Sequence, residues 1–182
     1  VKKVNPDLLL IVTPHGPVFQ DAIAINFQSR LKGDLGMFGA GQIRVSVPND
    51  LEFCSELARQ AEKLGVETVL LDQRKANLYG VNLNLDHGAL VPLYFLQEII
   101  EKVPLDHVTM GLLSREKLYA FGLAIQQTTF NLDKKLALII SGDLSHRLSE
   151  DGPYSYHPRG KEFDQWITGL IKDNDLIRIM DT

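Results

Sequence analysis

Three histidines stand where loops adjoin the strongly apolar segments of the chain. His15 lies in TPHGP, directly after the apolar run at residues 7–13, and His146 lies in SGDLSH, after the apolar run at residues 135–141. His87 lies in LDHGALVPL, just ahead of a segment with helical character. An imidazole can bind a metal ion or move a proton near neutral pH. The three side chains therefore predict metal-binding or acid–base chemistry in one shared cleft.

Two aspartates accompany these histidines. Asp143 precedes His146 by three residues, so within one turn its carboxylate can face the imidazole and orient or charge it. Asp86 directly precedes His87, and neighbouring side chains of an extended segment point to opposite faces. Asp86 therefore either supports His87 or caps the helix that follows.

The other candidate groups favour ordinary structural roles. His107, at the start of a predicted strand, and His157, ahead of a proline, are expected to be structural or solvated. Cys54 falls on the apolar face of a predicted helix, which favours a core thiol. Ser145 lacks the G-x-S-x-G context of a serine hydrolase. The glycine-rich stretch 33–42 lacks the pattern of a phosphate loop or a dinucleotide fingerprint, so we expect a mobile loop there.

The elements that must position these groups alternate between strands and helices. Strands are predicted at 7–13, 43–47, 66–72, 108–113 and 135–141, and helices between Asn49 and Gly65 and at 90–102, 115–130 and 160–173. This alternation predicts a three-layer α/β domain, with helices on both faces of a central, mostly parallel or mixed sheet. In open α/β sheets, ligands bind beyond the carboxyl ends of the strands, which is where His15 and His146 fall.

Composition limits the class of protein further. The chain has 182 residues, which favours one domain, and no apolar run approaches the roughly 18 residues that a membrane span requires. The net charge is −4 and the basic residues are dispersed, which argues against nucleic-acid binding. A single cysteine and the absence of a secretory signal pattern favour a reducing compartment. We expect a soluble cytoplasmic protein without nucleic-acid or membrane partners.

Four motifs, taken in order, carry a resemblance to a known family. They are TPHGPVF at 13–19, GDLGMFGAG at 33–41, LDHGALVPLYFL at 85–96 and SGDLSHRLSEDGPY at 141–154. Together they resemble the class III extradiol ring-cleavage dioxygenase B-subunit (LigB-like) superfamily. Within it the chain is most similar to the branch attached to the AmmeMemoRadiSam system, which is related to the Memo proteins. The resemblance spans nearly the whole chain and implies a LigB-like α/β fold.

The resemblance also implies an activity and a set of site residues. Such enzymes bind non-haem Fe(II) through two histidines and a glutamate and insert O2 into a small catecholic substrate. By motif, His15 is the expected metal ligand. His87 and His146 are the expected acid–base pair, which deprotonates the catechol and protonates the intermediate. From their positions beside His87 and His146 in the sequence, and not from the resemblance, Asp86 and Asp143 are the expected supporting carboxylates.

The chain departs from the family pattern at both ends, and this keeps other functions open. Relatives carry the other two metal ligands upstream of the T-P-H element and after the last helix. We therefore expect a single domain over residues 1–182 that lacks the N- and C-terminal segments of the family domain. The alternatives are a Memo-like metal-binding or redox protein without ring cleavage, a Zn-dependent hydrolase with Asp143 or Glu150 as base, and a partner-binding module. A homodimer is compatible with all of them.

Overall fold

The contacts within the chain divide it into two compact units. A computed structural model describes residues 4–152 and 154–179. The first unit is Val1–Ser141 and the second is Gly142–Thr182. That residues 1–182 form one domain remains a prediction.

A five-stranded sheet organises the first unit. Its strands are β1 (Leu8–Thr13), β2 (Ile23–Asn26), β5 (Thr68–Leu71), β6 (Leu105–Thr109) and β7 (Leu136–Ile140), in the order β5-β2-β6-β1-β7. Strand β1 pairs in parallel with β6 and β7, and β2 pairs in parallel with β5. Only the β2–β6 pairing of this sheet is antiparallel. A separate antiparallel hairpin is formed by β3 (Arg30–Leu35) and β4 (Ala40–Pro48).

Helices cover both faces of this sheet. The first unit has α1 (Leu51–Lys63), α2 (Gln73–Tyr79), α3 (His87–Tyr94), α4 (Gln97–Ile100) and α5 (Arg115–Asn131), and the second has α6 (Pro158–Lys172). One core cluster joins β1 to α1 and α5, a second joins β1 to α3, α4 and the β3–β4 hairpin, and a third, smaller one joins β2, β5 and α2. The predicted three-layer α/β architecture with a mostly parallel sheet is confirmed. In the described ranges, no helix combines the length and the apolar character needed to cross a membrane.

The central position of β1 explains its continuous apolar sequence. Leu8, Leu10 and Val12 face the cluster with α1 and α5, whereas Leu9 and Ile11 face the cluster with α3. A strand covered on both faces buries every side chain and therefore shows no alternation with polar residues. Each such side chain contributes about 1.5–3 kcal/mol through its removal from water.

Several elements begin at residues other than those predicted, because polar residues lie within them or cap them. The predicted strand at 108–113 is β6, which begins three residues earlier at Leu105 and carries the buried Asp106 and His107. The predicted helix at 90–102 is two helices, and the first begins at His87 because the Asp86 side chain caps it. The capping alternative for Asp86 is thus confirmed.

Other differences concern the hairpin and the first helix. The stretch 33–42 is not a loop, because it forms the end of β3, a turn at Gly36–Phe38 and the start of β4. The sequence favours Asn49 as the cap of α1, but the cap is Asp50, whose side chain accepts the backbone N–H of Phe53. Cys54 is fully buried in the core, as predicted.

Asp106 is a buried carboxylate on the opposite side of β6 from His107. Its side chain accepts the backbone N–H of Asp50 at 2.9 Å, and its Oδ2 has no hydrogen-bond partner among the described residues. Burial raises the pKa of Asp106 to about 7, although the hydrogen bond from the backbone N–H of Asp50 lowers it. A carboxyl group whose pKa is raised on folding binds a proton in the folded state over a pH range where the unfolded chain has lost it. Its contribution to stability therefore falls as pH rises from about 4 towards 7.

We predict that Asp106→Asn stabilises the chain at pH 8 by about 1–3 kcal/mol and that this gain shrinks at pH 5. The amide keeps the acceptor for Asp50 and carries no charge. Urea unfolding at the two pH values measures the difference in the free energy of unfolding. The exposed change Asp21→Asn serves as a control. A stability difference that does not vary with pH would contradict the assignment of Asp106.

Candidate functional site

Two of the three histidines singled out in the sequence meet in the first unit. The ring centroids of His15 and His87 lie 4.2 Å apart, with 33° between the ring planes. His15 follows the carboxyl end of β1, and His87 is the first residue of α3. Both rings line a cavity of about 810 Å³. The loop after β1 and the beginning of α3 thus present two imidazoles to one space.

Asp86 joins the beginning of α3 to two strands of the sheet. Its Oδ1 accepts the backbone N–H of Ala89 at 3.1 Å and thereby caps the helix. Its Oδ2 accepts the hydroxyl of Thr13 at 2.7 Å and lies 3.0 Å from Nε2 of His107. Because an ionised carboxylate only accepts hydrogen bonds, this Nε2 is the donor. Three donors from α3, β1 and β6 therefore converge on one carboxylate.

Hydrogen bonding decides the charge of this carboxylate. Burial raises the pKa of Asp86, but the hydrogen bonds from His107 and Thr13, the electrostatic interaction with His107 and the N–H of Ala89 outweigh burial. The pKa falls to about 2 as a result. Asp86 is therefore negatively charged at neutral pH, next to the pair of imidazoles.

His107 is a residue of this network that the sequence did not reveal. Of the two expected roles, structural or solvated, His107 has the structural one, because its ring is 2% exposed and lies at the centre of the sheet, opposite Ile11 of β1. The correct bounds of β6 would have identified His107 as a buried residue. With β6 at Leu105–Thr109, His107 alternates onto the same face as the core residue Leu105, beneath α3.

Two glycines permit the close approach of these groups. A Cβ atom at Gly88 would lie 2.9 Å from Oδ1 of Asp86 and 3.0 Å from Cδ2 of His15. A Cβ atom at Gly16 would lie 2.1 Å from Oγ1 of Thr109. A larger side chain at either position would force the two segments apart. The glycines that follow both histidines in the sequence are thus explained by packing.

The tip of the β3–β4 hairpin forms an aromatic wall of the cavity. The ring of Phe38 meets the ring of His87 edge-on, with 5.4 Å between centroids and 62° between planes. Phe38 is 63% exposed. The hairpin is attached to the segment before α3 by a 2.7 Å hydrogen bond from the N–H of Leu85 to the carbonyl of Lys32. Two imidazoles beside an aromatic face can accommodate a flat ring and exchange protons with it.

His146 and Asp143 lie in the second unit. Nε2 of His146 is 3.8 Å from Oδ2 of Asp143, and its ring centroid is 5.8 Å from that of Tyr154. His146 lines a separate cavity of about 500 Å³. The carboxylate of Asp143 therefore lies close to the imidazole of His146, as the three-residue spacing suggested. That His146 converges on His15 and His87 remains a prediction.

The described residues alone do not complete a metal site of the expected kind. Within residues 4–152 and 154–179, no group of three or more His, Cys, Asp or Glu side chains is arranged to hold a metal ion. His15 and His87 offer two imidazoles, while both oxygens of Asp86 already accept hydrogen bonds. A ferrous site with three protein ligands would need at least one donor from elsewhere.

Comparison with known proteins gives a family and a relative. The family described as the catalytic LigB subunit of aromatic ring-opening dioxygenase matches residues 1–180 of the chain. The protein CA_C1420 of Clostridium acetobutylicum is 34% identical over 171 residues, which make up 94% of this chain and 36% of that protein. The chain thus spans well under half the length of this relative, whose name states no activity.

We predict that Asp86→Ala destabilises the chain by about 3 kcal/mol, because it removes a helix cap and leaves two buried donors, on Thr13 and His107, without their acceptor. Asp72→Ala is the matched control. Asp72 caps α2 in the same way, through the N–H of Lys75 at 2.8 Å. It should cost about 1 kcal/mol. Equal losses in chemical denaturation would contradict the role of the buried network.

Proposed function

The chain belongs to the family of the catalytic LigB subunit of aromatic ring-opening dioxygenase, and we propose that it forms part of the active site of an extradiol dioxygenase that opens a catecholic ring with O2. The observation that carries this proposal is the contact of His15 with His87 in a cavity walled by Phe38. Both family membership and the cavity support an oxidoreductase with a small aromatic substrate.

The cavity suits a single aromatic ring with polar substituents. Its volume of about 810 Å³ falls within the range of small-molecule sites. Phe38 offers a ring face or edge, and aromatic pairs contribute about 0.5–1.5 kcal/mol beyond the area that they bury. Asn82 and Asn84 also line the cavity and can exchange hydrogen bonds with ring hydroxyls.

His87 is the group that we propose for proton transfer within the first unit. Its imidazole is fixed at the start of α3 and faces the cavity. A neutral imidazole can accept a proton from a catechol hydroxyl and return it to the product, since its ordinary pKa lies near neutral pH. In the second unit we propose the same task for His146, with Asp143 orienting its ring.

His15 is the metal ligand that we propose. Ferrous iron would supply the activation of O2, with its remaining protein donors contributed from outside the described residues. Zn²⁺ is the alternative ion. Oδ1 of Asp86 and Cδ2 of His15 both lie within about 3 Å of where a Cβ atom of Gly88 would stand. The negative charge of Asp86 is therefore close to the His15 ring and favours a cation in this part of the cavity.

Oxygen uptake on addition of a catechol tests the proposal. The full-length parent protein, loaded anaerobically with Fe(II), is compared with His15→Ala and His87→Gln. We expect His15→Ala to lose both iron and uptake. His87→Gln should keep iron and lose about 10²–10⁴-fold in kcat. The exposed change Glu67→Gln, which lies outside the cavity lining, should behave as the parent.

The alternatives make different predictions for the same experiment. A Memo-like metal protein would bind the ion without consuming O2 in the presence of any catechol. A zinc hydrolase would bind Zn²⁺ in preference and leave O2 unchanged. Uptake that His87→Gln leaves intact would contradict the role of His87, and uptake by none of the iron-loaded proteins would contradict ring cleavage.

We predict that Phe38→Ala raises KM for a catechol about 2–10-fold with little change in kcat, because it removes an aromatic contact made in the ground state and the transition state alike. Phe38→Leu is the control, since it keeps an apolar side chain of similar size without the ring. Steady-state kinetics of the iron-loaded protein provides the measurement. If Phe38→Leu matches the parent, apolar volume and not the aromatic ring accounts for the contact.

A further inference from the structure

His107 lies apart from the cavity and yet is bonded to the segment that presents His87. Its ring is 2% exposed, and it is not among the residues that line the cavity. A buried imidazole in the middle of a sheet destabilises the fold unless its polar atoms are hydrogen-bonded. Its Nε2 is engaged by Asp86 at 3.0 Å and lies 3.3 Å from the hydroxyl of Thr13.

Two hydrogen bonds connect His107 to the first turn of α3. The first joins His107 to Oδ2 of Asp86, and the second joins Oδ1 of Asp86 to the backbone of Ala89. His87 lies between Asp86 and Ala89 in the sequence, so its backbone is held from both sides. Its ring then meets His15 at 4.2 Å between centroids. Any movement of the Asp86 carboxylate is therefore transmitted to the pair of imidazoles.

Oδ2 of Asp86 needs a second donor to be held against the sheet from more than one strand. Without His107, Thr13 of β1 would be the sole strand residue, among those that the structure describes, that donates to this oxygen. His107 donates from β6, the neighbouring strand, to the same oxygen. Donors from two strands fix the position of that oxygen, and the cap on Ala89 fixes the other. The imidazole has two rotatable side-chain bonds, fewer than the other long N–H donors Gln, Lys and Arg.

We propose that His107 is a positioning residue, which holds Asp86 from the centre of the sheet and thereby keeps the ring of His87 against that of His15. Its catalytic consequence rests on the proposed function. The geometric claim does not, because the contact of the two rings can be measured without metal, substrate or turnover.

NMR of the chain labelled at histidine tests the geometric claim through nuclear Overhauser effects between the rings of His15 and His87, assigned with His15→Gln and His87→Gln. His107→Gln keeps an N–H donor close to the position of Nε2. His107→Asn has a shorter side chain, so its donor falls short of Asp86. His107→Leu removes the donor altogether. We expect the cross-peaks to persist in the Gln variant and to be lost in the Asn and Leu variants.

The comparison of Gln with Asn keeps the test decisive even if the Leu variant does not fold, because both are polar amides at the same buried position. Cross-peaks that persist in the folded Asn variant would overturn the proposal. Cross-peaks lost equally in the Gln and Asn variants would also overturn it, since a merely structural histidine would be disturbed by either amide.

Turnover provides a separate readout in the iron-loaded, full-length protein. We expect the Gln variant to keep kcat within about threefold of the parent, and the Asn variant to lose at least tenfold in kcat with KM within about threefold. Equal kcat in the two variants would overturn the catalytic consequence. If the parent itself consumes no O2, the proposed function fails, while the ring contacts still decide the role of His107.

Discussion

A carboxylate removed from water must either accept hydrogen bonds or lose its charge, and the site depends on how Asp86 meets this requirement. Its acceptor capacity is used by donors from the end of β1, the centre of β6 and the first turn of α3. These donors outweigh burial and keep the group ionised. The same bonds fix the helix over the sheet. One electrostatic constraint therefore sets where α3 begins and where His87 lies.

The arrangement of the cavity follows from this anchor. Because α3 begins close to the loop after β1, only glycine fits at positions 16 and 88, and the two imidazoles come into contact. The hairpin joined to the segment before α3 brings Phe38 to the same space. In many enzymes, loops supported by rigid strands hold reactive groups precisely enough for catalysis. Here the loop after β1 and the β3–β4 hairpin have that role. Family membership supports the proposal that this geometry is part of a ring-opening site.

Local patterns predicted much of the fold but not the buried polar network. Strand β1, helices α1 and α5 and strand β7 have periodic or continuous apolar residues, so their types and approximate bounds followed from the sequence. Strand β6 was displaced because Asp106 and His107 look like loop residues until their partners are known. Those partners are Asp50 and Asp86, far away in sequence, and no local pattern encodes such pairs. The proximity of His15 and His87 could be predicted from the sequence, because both residues lie at the ends of elements, whereas His107 lies within a strand.

The most direct measurement of ring opening is the fate of both atoms of O2. The iron-loaded, full-length protein would be given a catechol under ¹⁸O₂. The product would be reduced at once with borohydride, which stops exchange of its carbonyl oxygen with water. Mass spectrometry would then measure the mass of the product. An extradiol dioxygenase built on His15 and His87 predicts a ring-opened product that carries two ¹⁸O atoms and is absent with His87→Gln. A product without ¹⁸O, or no ring-opened product from the parent protein, would contradict it.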